Sequence, residues 1–275
     1  MTATTIKSSG APRPADRSQP SKSSPARRLT ALGRAELTLL IRNRTALFVA
    51  LLMPLVMVVA TKSSLDSMDL GKAGMSVVEA SMTAAIGMVL VLVVHLNLVS
   101  AYVARREELV LKRLRTGEVP DHEILAGTAL PAVGLALTQC VLLVAGGVAF
   151  MDLGAPKRPD LLIAGIAIGV VLLAALAAVT AAITRTVESA QITTMPMFLV
   201  SVAGSGLLVP LELMPEKMAS VCELLPLTGV MTLIRAGWLG GTDSADVTRA
   251  ALTALVWSAV SLLAVRRWFR WEPRR

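Results

Sequence analysis

Between Arg105 and Glu123 the sequence RREELVLKRLRTGEVPDHE holds five Lys/Arg and five Asp/Glu. Two kinds of chemistry use such a density of charge. Clustered carboxylates (Glu107, Glu108, Glu118, Asp121 and Glu123) would serve an enzyme acting on lipids at a membrane face, but here as many bases match them. Mixed charges on a short helix would instead dock a soluble partner. Glu108 precedes Lys112 at the favourable i,i+4 spacing, and Leu111 and Leu114 share a face, so Arg105–Arg115 reads as a short helix continuing the span before it. Gly117 and Pro120 then terminate it. The remaining alternative is a solvated elbow held by its own ion pairs.

The flanks decide where this segment can sit. Ala80–Ala104 and Ile124–Met151 contain no Asp, Glu, Lys or Arg. Ten charges at a bilayer centre would cost on the order of 25–35 kcal/mol on insertion scales, so the segment lies in water between two spanning helices. The rest of the composition agrees. The chain is 54% hydrophobic and only 17% charged, and its apolar content is Leu, Val, Ala, Ile and Met, with 3% aromatics. A soluble domain of this size carries about 25% charged residues. The expected class is an all-α polytopic membrane protein.

Other chemistry is sparse. No G-x-x-x-x-G-K-[ST] loop is present, so no P-loop nucleotide site is expected, and there is no H-E-x-x-H, C-x-x-C or G-x-S-x-G. Cys140 and Cys222 read as packing residues, and His95 and His122 are far apart without metal-ligand company. The net charge of +8 is not that of a nucleic-acid binder, because no aromatic residues interleave with the bases. Every charged residue falls near a predicted span end, Glu79 and Glu188 being the deepest, so a proton- or sodium-driven pump lacks its expected groups. Within the spans the polar residues are His95, Asn97, Thr138, Gln139, Ser201 and Ser205. They form a candidate cargo path, or else they join helices by hydrogen bonds.

The elements that position these residues follow from the apolar runs. Residues 1–28, rich in Ser, Pro, Ala and Arg, read as a disordered tail and not as a secretory signal. In Leu29–Thr45, Arg34, Thr38, Arg42 and Thr45 recur at helical spacing opposite Leu32, Ala35 and Leu39, the pattern of a basic helix lying in the interface. The alternative is a charged extension of the first span. Six spans are then predicted: Thr45–Thr61 with Pro54, Val77–Val103, Ile124–Met151 with Pro131, Leu161–Thr184, Ser189–Leu211 with Pro196, and Ala250–Val265. Before the last, Leu224–Ile234 is apolar but too short to cross, and Pro210, Pro215 and Pro226 break the region into a helical hairpin, re-entrant or interface-lying.

Six crossings put both termini on one side. That side collects 20 of the 27 Lys/Arg and is therefore cytoplasmic. Trp268, Phe269 and Trp271, mixed with Arg266, Arg267 and Arg270, read as an interface anchor within a cytoplasmic basic tail, residues 268–275. The two halves differ in loop length and proline placement, which argues against an inverted-repeat secondary transporter.

Three segments in this order carry a resemblance: RAELTLLIRNRTALFVALLMPLVMVV, the span ending in RREELVLKRLRTGEVPDHEILAG, and the late LELMPEKMASVCELLPLTGVMTLIRAGW. From Leu29 to about Arg267 the chain resembles the permease subunits of type-2 ATP-binding-cassette transporters, particularly the actinobacterial drug-exporter branch. The resemblance implies a permease domain over residues 29–267, with a connecting helix at Leu29–Thr45 and a coupling helix in Arg105–Glu123. It also implies extracellular helices at Leu211–Trp238. Glu107, Glu108, Lys112, Arg113 and Arg115 become the expected contacts with a separate ATPase subunit. The family loop often reads R-x-x-G-T-x-x-R-L-R; here Glu108-Leu109-Val110 replaces its glycine-containing part, while Lys112-Arg113-Leu114-Arg115 remains. Further implications are a transport subunit that is not itself an enzyme, no cofactor on this chain, ATP on the partner, and a pair of permeases, most simply a homodimer. The cargo implied is a hydrophobic drug or antibiotic, with lipid, peptide or glycan as alternatives.

Overall fold

The computed structural model describes residues 75–109, 120–150 and 153–269, together with Val56, Val58 and Val59. The expected tail, the interfacial helix, most of the first span, Lys112, Arg113, Arg115 and residues 270–275 lie outside the described residues. Every element among the described residues is helical.

The first long helix, α1 (Val77–Glu107), begins where Ser76 and Glu79 form a reciprocal capping box, each side chain bonding the other's backbone N–H. Midway it widens into a π-helical segment, Leu90–Leu96, crowded with β-branched Val91, Val93 and Val94. After the charged loop, α2 (Asp121–Phe150) starts behind Pro120 with Asp121 and Glu123 in its first turn, where the helix dipole favours negative charge. It runs 30 residues through Pro131. Pro159 opens α3 (Pro159–Ile183) at the one position where a helix loses nothing by lacking an N–H. A second capping box, Thr186 with Ser189, starts α4 (Val187–Gly204).

The region between α4 and the last helix holds a 3-10 turn (Leu211–Leu213), then α5 (Glu216–Cys222) and α6 (Pro226–Leu239), with α5 and α6 bent by 100°. Two hydrogen bonds pin the bend: Thr228 Oγ1 donates to the Cys222 carbonyl at 2.6 Å, and Trp257 Nε1 donates to the Leu224 carbonyl at 2.9 Å. The chain closes with α7 (Ser244–Trp268).

By length and composition four helices can cross a membrane: α1, α2, α3 and α7, with the bent α5–α6 pair a fifth if it counts as one span. The expected fifth span is helical only over Val187–Gly204, and Glu188, Gln191, Thr193 and Thr194 in its first two turns lower its apolarity. The expected last span extends further than Ala250–Val265, because Ser244–Arg249 continue the helix outward as its polar first turns.

The packing centres on α6. All of its residues but Thr232 and Leu239 are buried, although at about 21 Å it is too short to cross. It lies against α3 and α7, and small residues bring the backbones together. A Cβ on Gly237 would collide with the Leu162 backbone nitrogen and come within 2.7 Å of the Leu162 Cα. Two turns earlier a Cβ on Gly229 would run into the Ala250 carbonyl oxygen. The matching stripe on α7 is Ala250, Ala254, Ser258 and Ser261, the buried residues of that helix. In lipid, where the hydrophobic effect does not press helices together, close contact of this kind supplies the attraction. Gly237→Ala is therefore expected to destabilise the fold by roughly 1–3 kcal/mol through overpacking, while Gly134→Ala, whose Cβ would meet open space, leaves it unchanged. Thermal unfolding of the two purified variants in detergent distinguishes them.

Candidate functional site

The residues expected to act lie at the loop end of the bundle and in its interior. At the loop end α1 stops at Glu107, two residues after the charged run begins, so Arg105–Arg115 is not one continuous helix. Glu108 caps it with its N–H on the Ala104 carbonyl, and Leu109 then takes φ 59° and donates its N–H to the Arg106 carbonyl. Among the described residues Leu109 is the one non-glycine with positive φ. Counting back from Arg113-Leu114-Arg115, it occupies the glycine position of the family loop pattern, the place where a left-handed conformation comes without a Cβ penalty. Glu107, Glu108 and Leu109 are all exposed and available to a partner.

Arg106 behaves differently from its neighbours. It is 1% exposed. Its Nη1 donates to the Ala181 carbonyl at 2.8 Å, and its Nη2 donates to the carbonyls of Thr184 at 2.6 Å and Arg185 at 3.4 Å. These are the carbonyls left over at the C-terminal end of α3, where the helix dipole also favours a cation. One side chain thus clamps the entry to the charged loop onto the end of α3 and the turn that follows it. Beside the clamp Tyr102 donates its hydroxyl to the Leu125 carbonyl at 3.2 Å, and Phe269 packs edge-on against its ring at 6.2 Å. Phe269 therefore anchors the end of α7 to α1 within the protein, whereas Trp268 points outward, 64% exposed. A cavity of about 500 Å³ opens here between α1, α2, α3 and α7, with Asp121, His122 and Arg266 at its polar edge.

The cargo-path residues are not gathered into one site. His95, at the end of the π-helical segment, is buried with Nδ1 3.4 Å from the Leu173 carbonyl on α3. Asn97, two residues on, is exposed on the outer side of α1. Gln139 is buried on α2. Ser201 and Ser205, one turn apart at the end of α4, are buried with hydroxyls that have no hydrogen-bond partner. Sequence reasoning overlooked two residues. Arg106 had been grouped with the loop bases, yet it continues the buried face of α1 set by Val99, Tyr102 and Val103, and that spacing was the available signal. Arg235 had been placed as the boundary of a short apolar run, yet it lies inside α6 and is buried.

A bundle of long apolar helices with a charged loop clamped to its end defines a multi-pass membrane protein. The profile described as ABC-2 type transporter matches residues 27–239, and the chain belongs to that family. Membership makes it an ABC-type permease, the membrane subunit that works with an ABC ATPase. No curated protein matches the chain.

The two features of the loop end make opposite expectations. Leu109→Gly is expected to stabilise the protein by about 0.5–1 kcal/mol, the αL penalty of roughly 1–2 kcal/mol less the extra chain entropy of glycine. Arg106→Ala is expected to destabilise it by about 1.5–3 kcal/mol, because charge-assisted bonds to buried carbonyls are lost together. Thermal unfolding reads both, and hydrogen exchange localises the second to residues 181–185.

Proposed function

We propose that this chain is the permease subunit of an ATP-driven exporter that carries a hydrophobic cargo, a drug or antibiotic, out of the cell. Membership of the ABC-2 type transporter family supports it, and so does the way the charged loop is fastened to the bundle. In this reading two copies of the chain work with two ATPase subunits, both termini are cytoplasmic, and the cargo passes between the copies. Nucleotide is held by the partner, and this chain supplies no cofactor site and no catalytic group. Glu107, Glu108, Lys112, Arg113 and Arg115 meet the ATPase; His95, Asn97, Gln139, Ser201 and Ser205 line the route.

A mechanical route follows from the helix ends. Movement of the loop pulls on Arg106, and Arg106 grips the end of α3. The other end of α3 is joined to α6: the N–H groups of Lys157 and Arg158 donate to the carbonyls of Trp238 at 3.3 Å and Gly237 at 2.9 Å. A 25-residue helix of about 37 Å thereby links the loop to the bent α5–α6 hairpin, which serves as the outer gate. Lipid, peptide or glycan cargo would use the same route.

The test is charge reversal of Lys112, Arg113 and Arg115 together. The variant is expected to insert normally, to lose co-purification with its ATPase, and to lose transport in the same measure. Unchanged co-purification with unchanged transport overturns the docking assignment.

A further inference from the structure

At the end of the bundle remote from Glu107 and Asp121 lies a polar cavity of about 430 Å³. Four separate elements bring charge to it: Glu79 in the first turn of α1, Lys157 just before α3, Glu212 in the 3-10 turn, and Arg235 on α6. Backbone of residues 240–242 closes one wall.

Arg235 is only 7% exposed. Its Nη2 donates to the Gly206 carbonyl, and its Nη1 lies 3.9 Å from a carboxylate oxygen of Glu212. The site is shaped to hold it: Gly206 has φ +73°, and a Cβ there would come within 2.9 Å of Nη1. Even so, the Arg235 Nε–H has no hydrogen-bond partner, an unusual state for a buried donor. Lys157 lays its aliphatic stem against Gly240, the contact a Cβ there would meet at 3.0 Å, and among the described residues its ammonium forms no ion pair. Glu79 spends one oxygen, Oε2, on the Ser76 N–H. Among the described residues its other oxygen has no hydrogen-bond partner.

The cavity is therefore lined by two cations, Lys157 and Arg235, and two carboxylates, summing to no net charge. That arrangement suits a ligand carrying both signs a few ångströms apart. An anion serving Lys157 and Arg235 must supply acceptors to groups from two different elements, which a phosphate with several oxygens does better than a carboxylate. We propose that this cavity binds a phosphate–ammonium zwitterion of the phosphoethanolamine type, with the phosphate on Lys157 and Arg235 and the ammonium on Glu79. The site goes beyond the export function and is independent of the ATPase. Its ligand comes either from a lipid headgroup or from a free solute.

The experiment titrates phosphoethanolamine into the full chain, without ATPase, in nanodiscs of phosphatidylglycerol, followed by calorimetry. Saturable binding is expected, weakened about tenfold or more by Lys157→Gln and several-fold by Glu79→Gln. Both variants should unfold at the wild-type temperature, since Lys157 is exposed and a glutamine oxygen still caps the Ser76 N–H. In nanodiscs of phosphatidylethanolamine, loss of binding to the added probe identifies the headgroup as the source, and undiminished binding identifies a solute. Absence of saturable binding in phosphatidylglycerol discs overturns the proposal. So does wild-type affinity in both variants, or alanine competing as well as phosphoethanolamine.

Discussion

A helix inside a bilayer satisfies its own middle but not its ends, and the leftover N–H and C=O groups must find partners without water. In this protein that constraint falls hardest on α3. Its last carbonyls take the guanidinium of Arg106 from α1, and just ahead of its start the N–H groups of Lys157 and Arg158 meet the leftover carbonyls of α6. The first bond set uses a charge, and the second satisfies the orphan carbonyls of α6 with backbone N–H groups of the segment leading into α3. Together they fix α3 at both extremities, and the remaining helices arrange themselves around it.

Close approach does the rest. Short α6 can bury nearly every residue because Gly229 and Gly237 let the backbones of two neighbouring helices touch it. A helix so enclosed contributes no lipid-facing surface, so the burden of meeting the bilayer shifts to α2 and α7. Leu137, Val141 and Leu142 on α2, and Leu252, Leu255, Leu262 and Leu263 on α7, lie open accordingly. Close central contacts and apolar, loosely covered outer helices suit a membrane subunit whose outer faces meet lipid.

The two ends of the bundle differ in chemistry for the same reason. At the loop end, charge is divided between exposed Glu107 and Glu108, free to meet another protein, and buried Arg106, committed to the fold. At the other end Arg235 donates to the Gly206 carbonyl, lies beside the Glu212 carboxylate and lines a polar cavity.

The helical membrane class and the approximate positions of four spans were legible in the sequence, because bilayer partitioning depends on local runs of charge and apolarity. The break into short, bent helices before α7 was legible too, since proline and segment length are local properties. The fate of individual charged residues was not. Arg105 and Arg106 are neighbours of one type, and only their angular position on α1, together with the arrival of the α3 terminus, makes the second a buried clamp. Arg235 looked like the end of an apolar run, because nothing in its neighbourhood announces the Gly206 carbonyl 29 residues away. The halt of α1 at Glu107 is likewise a product of backbone geometry at Leu109, a residue whose type favours continuing the helix. The sequence by itself determined what must lie in the membrane and what must lie in water. Which helix ends meet, and therefore which charges can be buried, depends on contacts between distant segments, and only the tertiary structure decided it.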